Sequence, residues 1–188
     1  RELCHRLEIR PYRPTYRFLR PNPQKQERAR QELAELKQCA IDGECILLSQ
    51  DEARFPMVPT LQTTLGVKGH RPVVGTDDNK ALVYTFAAVN VLSGALTTRL
   101  IDSPARATAK TGKSKTRRLQ EAFAKHLRDI ARTYPADQHA FVVLTIDNAP
   151  WHRGRLINEV VDEFPHLKLY RLPSYSPRFN VIERLWKL

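Results

Sequence analysis

The sequence FVVLTID occupies residues 141–147, and five of its first six residues are apolar. A nearly continuous apolar run of this length is typical of a central strand covered on both faces, because such a strand has no solvent-facing side. An acid that directly follows the strand has a rigid base and faces a loop, which is where folds place reactive side chains. The stretch therefore predicts an α/β fold and makes Asp147 a candidate site residue.

Periodic segments on both sides of this run complete the predicted fold. Apolar residues recur at helical spacing in residues 24–40, 119–134 and 153–164. Short β-prone runs lie at residues 45–48, 82–92, 95–101 and 167–172. The middle two are joined by Ser93-Gly94 and predict an antiparallel hairpin, whereas strands linked through a helix pair in parallel. We therefore expect a mixed sheet flanked by helices.

The remaining segments are less regular. Four prolines among arginines predict an extended arm over residues 1–23. Residues 56–80 are rich in Pro, Gly and Thr and predict turns and a hairpin, and residues 103–118 predict a loop. The last segment, from about residue 180, is predicted to be helical. Because the sequence begins at Arg1 and stops inside this predicted helix, we expect it to be a fragment.

Charge indicates a polyanionic partner. The chain holds 31 Lys and Arg against 20 Asp and Glu, a net charge of +11. One basic tract, which contains no acid, comprises Arg106, Lys110, Lys113, Lys115, Arg117 and Arg118. A second basic tract includes Arg13 and Arg17. We expect both to contact a nucleic-acid backbone, the first as a mobile loop, although charge alone leaves open a basic protein with no such partner.

Composition also excludes several classes of protein. Three cysteines with no paired spacing argue against a disulfide framework or a zinc site and favour a reducing, cytoplasmic location. No apolar run is long enough to span a bilayer, and no signal-peptide pattern opens the sequence.

Three acids are candidates for one metal site. Asp51 and Asp147 follow predicted strands, and Glu183 opens the last predicted helix. Converging carboxylates repel one another unless a cation lies between them, and hard oxygen ligands favour Mg²⁺ or Mn²⁺. Structural roles remain open at this point: an Asp after a strand is often a turn or cap residue, and Glu183 has capping-box spacing from Asn180. Glu44 and Glu52 are rivals to Asp51.

Three motifs strengthen the metal interpretation. They are Asp51-Glu52 after a short apolar run, DNAPWH at residues 147–152, and SYSPRFNVIERLW at residues 174–186. Together they resemble the DDE transposases of the insertion-sequence 630 and mariner superfamily, with D-N-A-x-x-H at the second acid and Y-S-P-x-L-N-P-I-E-x-x-W at the third. The similarity runs from about residue 44 to 186. The sequence departs from the family at Phe179 and Val181, where Leu and Pro are usual. The segment 66–72 also lacks the family's hairpin Trp, so that hairpin's DNA contacts are not carried over.

The resemblance implies an RNase H-like, retroviral-integrase-like fold with a five-stranded mixed sheet. Asp51 and Asp147 would lie on adjacent central strands and Glu183 on a flanking helix, and the three would be the catalytic, metal-binding acids. Auxiliary roles are expected for Asn148, as a cap or an orienting group, and for His152, as a phosphate or water contact or else a surface or capping residue. Trp186 and Tyr175 are expected to be packing residues.

The resemblance also implies an activity and partners. The expected enzyme cleaves transposon ends by hydrolysis and joins the freed 3′-hydroxyl to target DNA by transesterification, using Mg²⁺ or Mn²⁺, with two ions expected. Its partners would be terminal inverted repeats, target DNA and a second copy of itself, in a prokaryotic cytoplasm at the nucleoid. Residues 1–40 would be an arm and helix at the end of a helix-turn-helix DNA-binding region, and residues 41–188 a truncated catalytic core. The alternatives are an inactive or domesticated DNA-binding relative, or another RNase H-like nuclease.

Overall fold

The computed structural model describes residues 2–8, 22–56, 58, 61, 63–76, 81–103 and 114–187. Its α-helices are α1 (Glu2–Arg6), α2 (Pro23–Ile41), α3 (Lys115–Thr133) and α4 (Arg155–Glu163). Its strands are β1 (Ile46–Pro56), β2 (Leu82–Asn90), β3 (Leu96–Ser103), β4 (Val142–Ile146) and β5 (Leu167–Arg171). Short 3₁₀ helices cover Pro150–His152, Pro177–Phe179 and Val181–Lys187.

The five strands form one mixed sheet in the order β3-β2-β1-β4-β5. β4 pairs in parallel with both β1 and β5, whereas β2 pairs antiparallel with β1 and β3. All five β4 residues are buried, as expected for a central strand. The prediction of a mixed five-stranded sheet flanked by helices is confirmed, and β1 and β4 are the adjacent strands that carry Asp51 and lead to Asp147.

Helices cover the sheet on both faces. On one face, Phe123 and Leu127 of α3 pack in a large core with Phe86 and Leu144. On the other face, α2 packs Ala40 in a smaller cluster that contains Leu47 and Val143. Leu47 and Val143 directly precede Leu48 and Leu144 of the large core, and successive strand residues point to opposite faces. The two clusters are therefore separated by the sheet.

Helix α2 is tied to the core by side-chain hydrogen bonds. The Tyr170 hydroxyl donates to the Glu32 carboxylate (2.6 Å), and the Gln26 amide donates to the Ser176 hydroxyl (2.9 Å). The division between residues 1–40 and 41–188 stays a prediction. Within the described part of the chain, no helix has the length and apolarity needed to cross a membrane.

Strand β1 is longer than the predicted apolar run. It continues to Pro56 because β2 pairs with it from Leu48 onward, whereas its pairing with β4 ends at Ser49. The expectation that Asp51 lies at a strand end is therefore wrong for β1 itself. Asp51 lies instead just beyond the end of the β1–β4 ladder, in the part of β1 that pairs with β2 and no longer pairs with β4.

Helix α3 begins earlier than predicted. The Ser114 hydroxyl accepts a hydrogen bond from the Arg117 backbone N–H (3.2 Å) and caps the helix, which starts at Lys115. Lys115, Arg117 and Arg118 are therefore helical residues, and their assignment to a mobile loop is wrong. Arg106, Lys110 and Lys113 lie outside the described residues, as do Arg13 and Arg17.

Three other local predictions need correction. Glu2–Arg6 is helical rather than extended, because the prolines begin only at Pro11 and every residue of α1 keeps its backbone donor. Residues 63–76 contain a turn, closed by the His70 N–H on the Val67 carbonyl (2.9 Å), but no strand. The last segment, predicted to be helical from about residue 180, is a 3₁₀ helix over Val181–Lys187 rather than an α-helix. A second short 3₁₀ helix, Pro177–Phe179, precedes it, and Asn180 between the two has an extended backbone (φ −88°, ψ 97°).

Candidate active site

Asp51, Asp147 and Glu183 line one cavity of about 400 Å³. The cavity lies at the carboxyl end of β4, and its other walls include Asn148, Asn180 and residues 172–177. The predicted convergence of the three acids is therefore present in the fold. Of the two rivals to Asp51, neither Glu44 nor Glu52 lines the cavity.

Asp51 is positioned from the chain's far end. Its Oδ2 accepts a hydrogen bond from the indole N–H of Trp186 (3.1 Å). The Trp186 ring packs edge-on against Phe55, with 6.3 Å between ring centroids. Burial raises the pKa of Asp51 to about 6, opposed by its hydrogen bonds and assisted by the negative charges of Glu52 and Asp147. Without a cation, the charge on Asp51 is therefore unfavourable.

Asp147 is held in a different way. Its Oδ1 accepts from the Ala149 backbone N–H (2.8 Å) and lies 2.9 Å from Nδ1 of His152. Burial would raise the pKa of Asp147, but these hydrogen bonds and the positive charge of His152 bring it below its usual range. Asp147 is therefore ionised at neutral pH.

His152 joins two acids across the fold. Its ring is 1% exposed, and Nε2 lies 2.7 Å from Oε1 of Glu52, whose side chain is 8% exposed. Burial opposes the charged ring, but the hydrogen bonds to Asp147 and Glu52 outweigh it and raise the pKa of His152 to about 9. At neutral pH the ring is an imidazolium that donates to both carboxylates. The expectation of a surface residue at this position is wrong.

Asn148 links β4 to the loop that follows β5. Its Nδ2 donates to the Leu172 carbonyl (2.6 Å), and its Oδ1 accepts from Arg153 (3.2 Å). The prediction that it caps the next helix is wrong, because the 3₁₀ helix at Pro150–His152 has no side-chain cap. Asn148 instead ties together two walls of the cavity.

Asn180 anchors the segment that carries Glu183. Its buried Oδ1 accepts from the Ser49 hydroxyl (2.6 Å), and its Nδ2 donates to the Gln50 carbonyl (3.3 Å). The Ile182 backbone N–H is also within reach of the Ser49 hydroxyl (3.4 Å). The side chain predicted to cap a helix is therefore bonded to β1, which holds the Glu183 segment beside Asp51.

The residue types around the cavity fit a hard divalent cation. Three carboxylates and two amide side chains supply oxygen ligands. Burial, and after it the negative charges of Glu52 and Asp147, raises the pKa of Asp51, and a bound cation would offset both effects. Over the described ranges, however, no three His, Cys or acidic side chains are already grouped closely enough to hold an ion. Asp51 and Asp147 are instead turned toward Trp186 and His152. The cavity is therefore built from suitable ligands, two of which are oriented by hydrogen bonds from the protein.

Comparison with protein families identifies this arrangement. The family described as DDE superfamily endonuclease matches residues 47–188, which is more than half of the chain and includes all three acids. The chain belongs to the DDE superfamily of endonucleases. The DDE endonuclease assignment that the motifs implied is thereby confirmed.

Solved structures share the fold of this DDE endonuclease. The Mos1 transposase paired-end complex with left transposon end matches with a TM-score of 0.58 and 18% identity, over 99% of this chain and 55% of that chain. The Mos1 mariner paired-end complex with Mn gives 0.56 and 15%, over 99% and 59%. The catalytic domain of Mos1 mariner transposase gives 0.54 and 15%, over 94% and 72%. The RNase H-like fold class is confirmed.

These matches also set the scale of the chain. It spans a little over half the length of the matched Mos1 chain in each of the two complexes. No curated protein sequence matches it.

The contacts that position the acids do not follow from the sequence pattern. Glu52 was a rival to Asp51, and Trp186 was expected to be a packing residue, whereas each contacts a residue that lines or adjoins the cavity. The sequence offers one indication of their importance, since Glu52 and Trp186 both lie inside the motifs. Their partners are 100 and 135 residues away, so local spacing does not reveal them.

Proposed function

We propose that this DDE endonuclease is the catalytic core of a transposase that cuts DNA at the ends of a mobile element. In this proposal, water attacks first and the freed 3′-hydroxyl then attacks target DNA. The observation that carries it is the meeting of Asp51, Asp147 and Glu183, one from each family motif, in a single cavity. The similar Mos1 structures, which include a paired-end complex with transposon DNA and a strand transfer complex, support the same activity.

The proposed cofactor is Mg²⁺ or Mn²⁺, held by the three acids as two ions. The oxygen-rich donor set supports this choice, as do Mos1 paired-end complexes with Mn and with Mg. Bound divalent cations activate an attacking oxygen and stabilise a leaving oxygen in phosphodiester displacement.

The protein's own contribution is to position the acids. Trp186 holds Asp51, and the His152 imidazolium holds Asp147 in its ionised state. The Ser49–Asn180 hydrogen bond keeps the Glu183 segment against β1. A carboxylate that is already oriented needs less rearrangement when substrate and cation bind.

The proposed partners are double-stranded DNA, as terminal inverted repeats and target, and a second copy of the chain. The basic tracts, including Arg13, Arg17, Arg106, Lys110 and Lys113, are proposed to follow the DNA backbone because of their charge. The proposed location is a prokaryotic cytoplasm, at the nucleoid.

The deciding experiment measures cleavage and strand transfer on duplexes that carry the element's own ends, with Mg²⁺ or Mn²⁺. Asp51→Asn, Asp147→Asn and Glu183→Gln should each lose more than the roughly 10–100-fold typical of outer-shell changes. Asp162→Asn, an exposed acid on α4, is the matched control and should retain activity. Cleavage without strand transfer would indicate another RNase H-like nuclease, and DNA binding without cleavage an inactive relative. Full activity of any acid variant would exclude that acid from the reaction.

A further inference from the structure

A second cavity, of about 290 Å³, adjoins the acidic one. The two share a wall made by Asn148 and residues 172–175. On its far side the second cavity is lined by Asn22, Lys25 and Arg171, so it presents two cations and no carboxylate. The cavity lined by the three acids and the cavity lined by two cations therefore lie on opposite sides of the shared wall.

Two arginines near this wall, Arg153 and Arg171, interact with the charge of Asp147 but form no ion pair with it. Arg171 donates to the His152 carbonyl (2.7 Å), and Arg153 donates to the carbonyl (3.3 Å) and side-chain oxygen (3.2 Å) of Asn148. In the part of the chain that the structure covers, neither forms an ion pair with a carboxylate. Burial and the nearby charge of Arg153 lower the pKa of Arg171, while Asp147 opposes that change. Neutral carbonyls thus hold two like charges together, and an incoming anion would relieve their repulsion.

Lys25 supplies a third cation from another element. It lies in the first turn of α2 and is exposed, and its side chain has no hydrogen bond or ion pair with any residue that the structure describes. The neighbouring Gln26 donates to Ser176 (2.9 Å), which fixes this end of α2 to the loop between the cavities. Lys25 is therefore held at the cavity without being neutralised there.

We infer that the second cavity binds one backbone phosphate of the DNA strand whose scissile phosphate lies in the acidic cavity, through Lys25 and Arg171. The inference rests on the proposed function and deepens it. A strand that enters the acidic cavity must leave it across one of its walls, and the shared wall leads to unpaired cations. Lys25 and Arg171 are donors only and Asn22 and Asn148 are polar, which suits non-bridging phosphate oxygens and carries no base specificity.

The test asks whether removing one cation from the protein and removing one charge from a DNA phosphate affect the same contact. The full chain is titrated, in EDTA, with a duplex of the element's terminal sequence and with duplexes bearing one neutral methylphosphonate at each successive position near the cleavage site. Binding is followed by fluorescence anisotropy. For the unaltered chain, one methylphosphonate position beside the scissile bond should weaken binding about 10-fold, as expected for a charge-assisted contact. Lys25→Ala and Arg171→Ala should weaken binding of unmodified DNA by a similar factor, and should lose most of the sensitivity to that one position.

Matched controls are Lys37→Ala on the same helix and Arg155→Ala, both at exposed positions away from the cavity. Because Arg171 bonds the His152 carbonyl, its variant is checked by circular dichroism, and Lys25→Ala gives the result independently if Arg171→Ala does not fold. Equal binding by Lys25→Ala and Lys37→Ala, or equal sensitivity of all proteins at every methylphosphonate position, would overturn the inference. Displacement of DNA by millimolar inorganic phosphate with no position-specific coupling would also overturn it, since it would indicate a free-anion site. The binding titration contains no divalent cation and does not depend on cleavage. Failure of the separate cleavage assay would therefore count against the proposed function and leave this inference to be decided by binding.

Discussion

The indole N–H of Trp186 donates a hydrogen bond to Oδ2 of Asp51 at 3.1 Å, across 135 residues of chain. The contact links the tryptophan of the third motif to the acid of the first. It gives Trp186 a role beyond packing, because one carboxylate oxygen of Asp51 is oriented by a fixed donor. The edge-on contact with Phe55 in turn fixes the indole ring.

Trp186→Phe should test this role because it keeps an aromatic ring and removes the N–H donor, together with the pyrrole part of the indole. We expect the unfolding free energy to fall by about 1.5–3 kcal/mol, the range for a lost hydrogen bond to a charged group. Cleavage should fall at least about 10-fold, as for other partners that orient a metal-binding side chain. Trp151→Phe is the matched control, since the buried Trp151 N–H has no partner among the residues that the structure describes. Equal losses in the two variants, measured by urea unfolding and by cleavage, would contradict the role of the hydrogen bond.

Asp51→Asn and Asp147→Asn should change stability in opposite directions when the cation is removed with EDTA. Burial makes the charge on Asp51 unfavourable, so its removal should raise the unfolding free energy, by at most about 3 kcal/mol for a pKa that rises from 3.8 to about 6 at roughly 1.4 kcal/mol per pKa unit. Asp147 is paired with the His152 imidazolium but is 51% exposed, so its removal should cost only about 1 kcal/mol. Thermal melting measures both, with Asp162→Asn as the control. If both variants changed the melting temperature in the same direction, repulsion among the acids, rather than the contact between Asp147 and His152, would determine the effect of Asp147 on stability.

The Ser49–Asn180 hydrogen bond should be energetically coupled. Both side chains are buried, so truncating one leaves the other without its partner. We expect Asn180→Ala to cost about 2–3 kcal/mol, because the Gln50 carbonyl is also left without that donor, and Ser49→Ala to cost about 1 kcal/mol. The double variant should cost less than the sum of the two single variants by about 1 kcal/mol. Strictly additive losses in urea unfolding would count against the contact, and Asn158→Ala, at an exposed position on α4, is the control.

His126 should make the fold sensitive to acid. Its ring is fully buried beside Phe86, and neither ring nitrogen has a partner within the described ranges. Burial lowers the pKa of His126 to about 4, with Arg99 and His152 acting in the same direction and Asp129 against it. Between pH 6.5 and 4 the unfolded chain binds the additional proton, so stability from this residue is complete above pH 6.5 and is lost as the pH falls toward 4.

The expected loss reaches about 3 kcal/mol at the acid end of this range. His126→Leu should remove this contribution to the pH dependence, whereas the exposed control His70→Leu should retain it. Urea unfolding at a series of pH values gives the comparison. A pH dependence unchanged by His126→Leu would exclude the buried ring as its source.

The sequence by itself determined the layers of the fold and the identity of the three acids. Apolar periodicity is a local property, and it located β4 and the buried face of α3 because burial on a strand or a helix repeats within a few residues. The order of helices and strands then favoured parallel pairing around β4, and the motifs supplied Asp51, Asp147 and Glu183. Polar segments carried no such signal, so the first turn of α3 was predicted to be loop.

Tertiary structure decided everything that depends on a partner distant in the chain. The length of β1 was set by its pairing with β2, and the 3₁₀ geometry around Asn180 accompanies a side chain bonded to β1 instead of to its own helix. The charge of His152 depends on Glu52, 100 residues away, because an imidazolium is stable in a buried site only where carboxylates surround it. Side-chain identity set which hydrogen bonds and charges were available, and the packing of the sheet selected which of them formed.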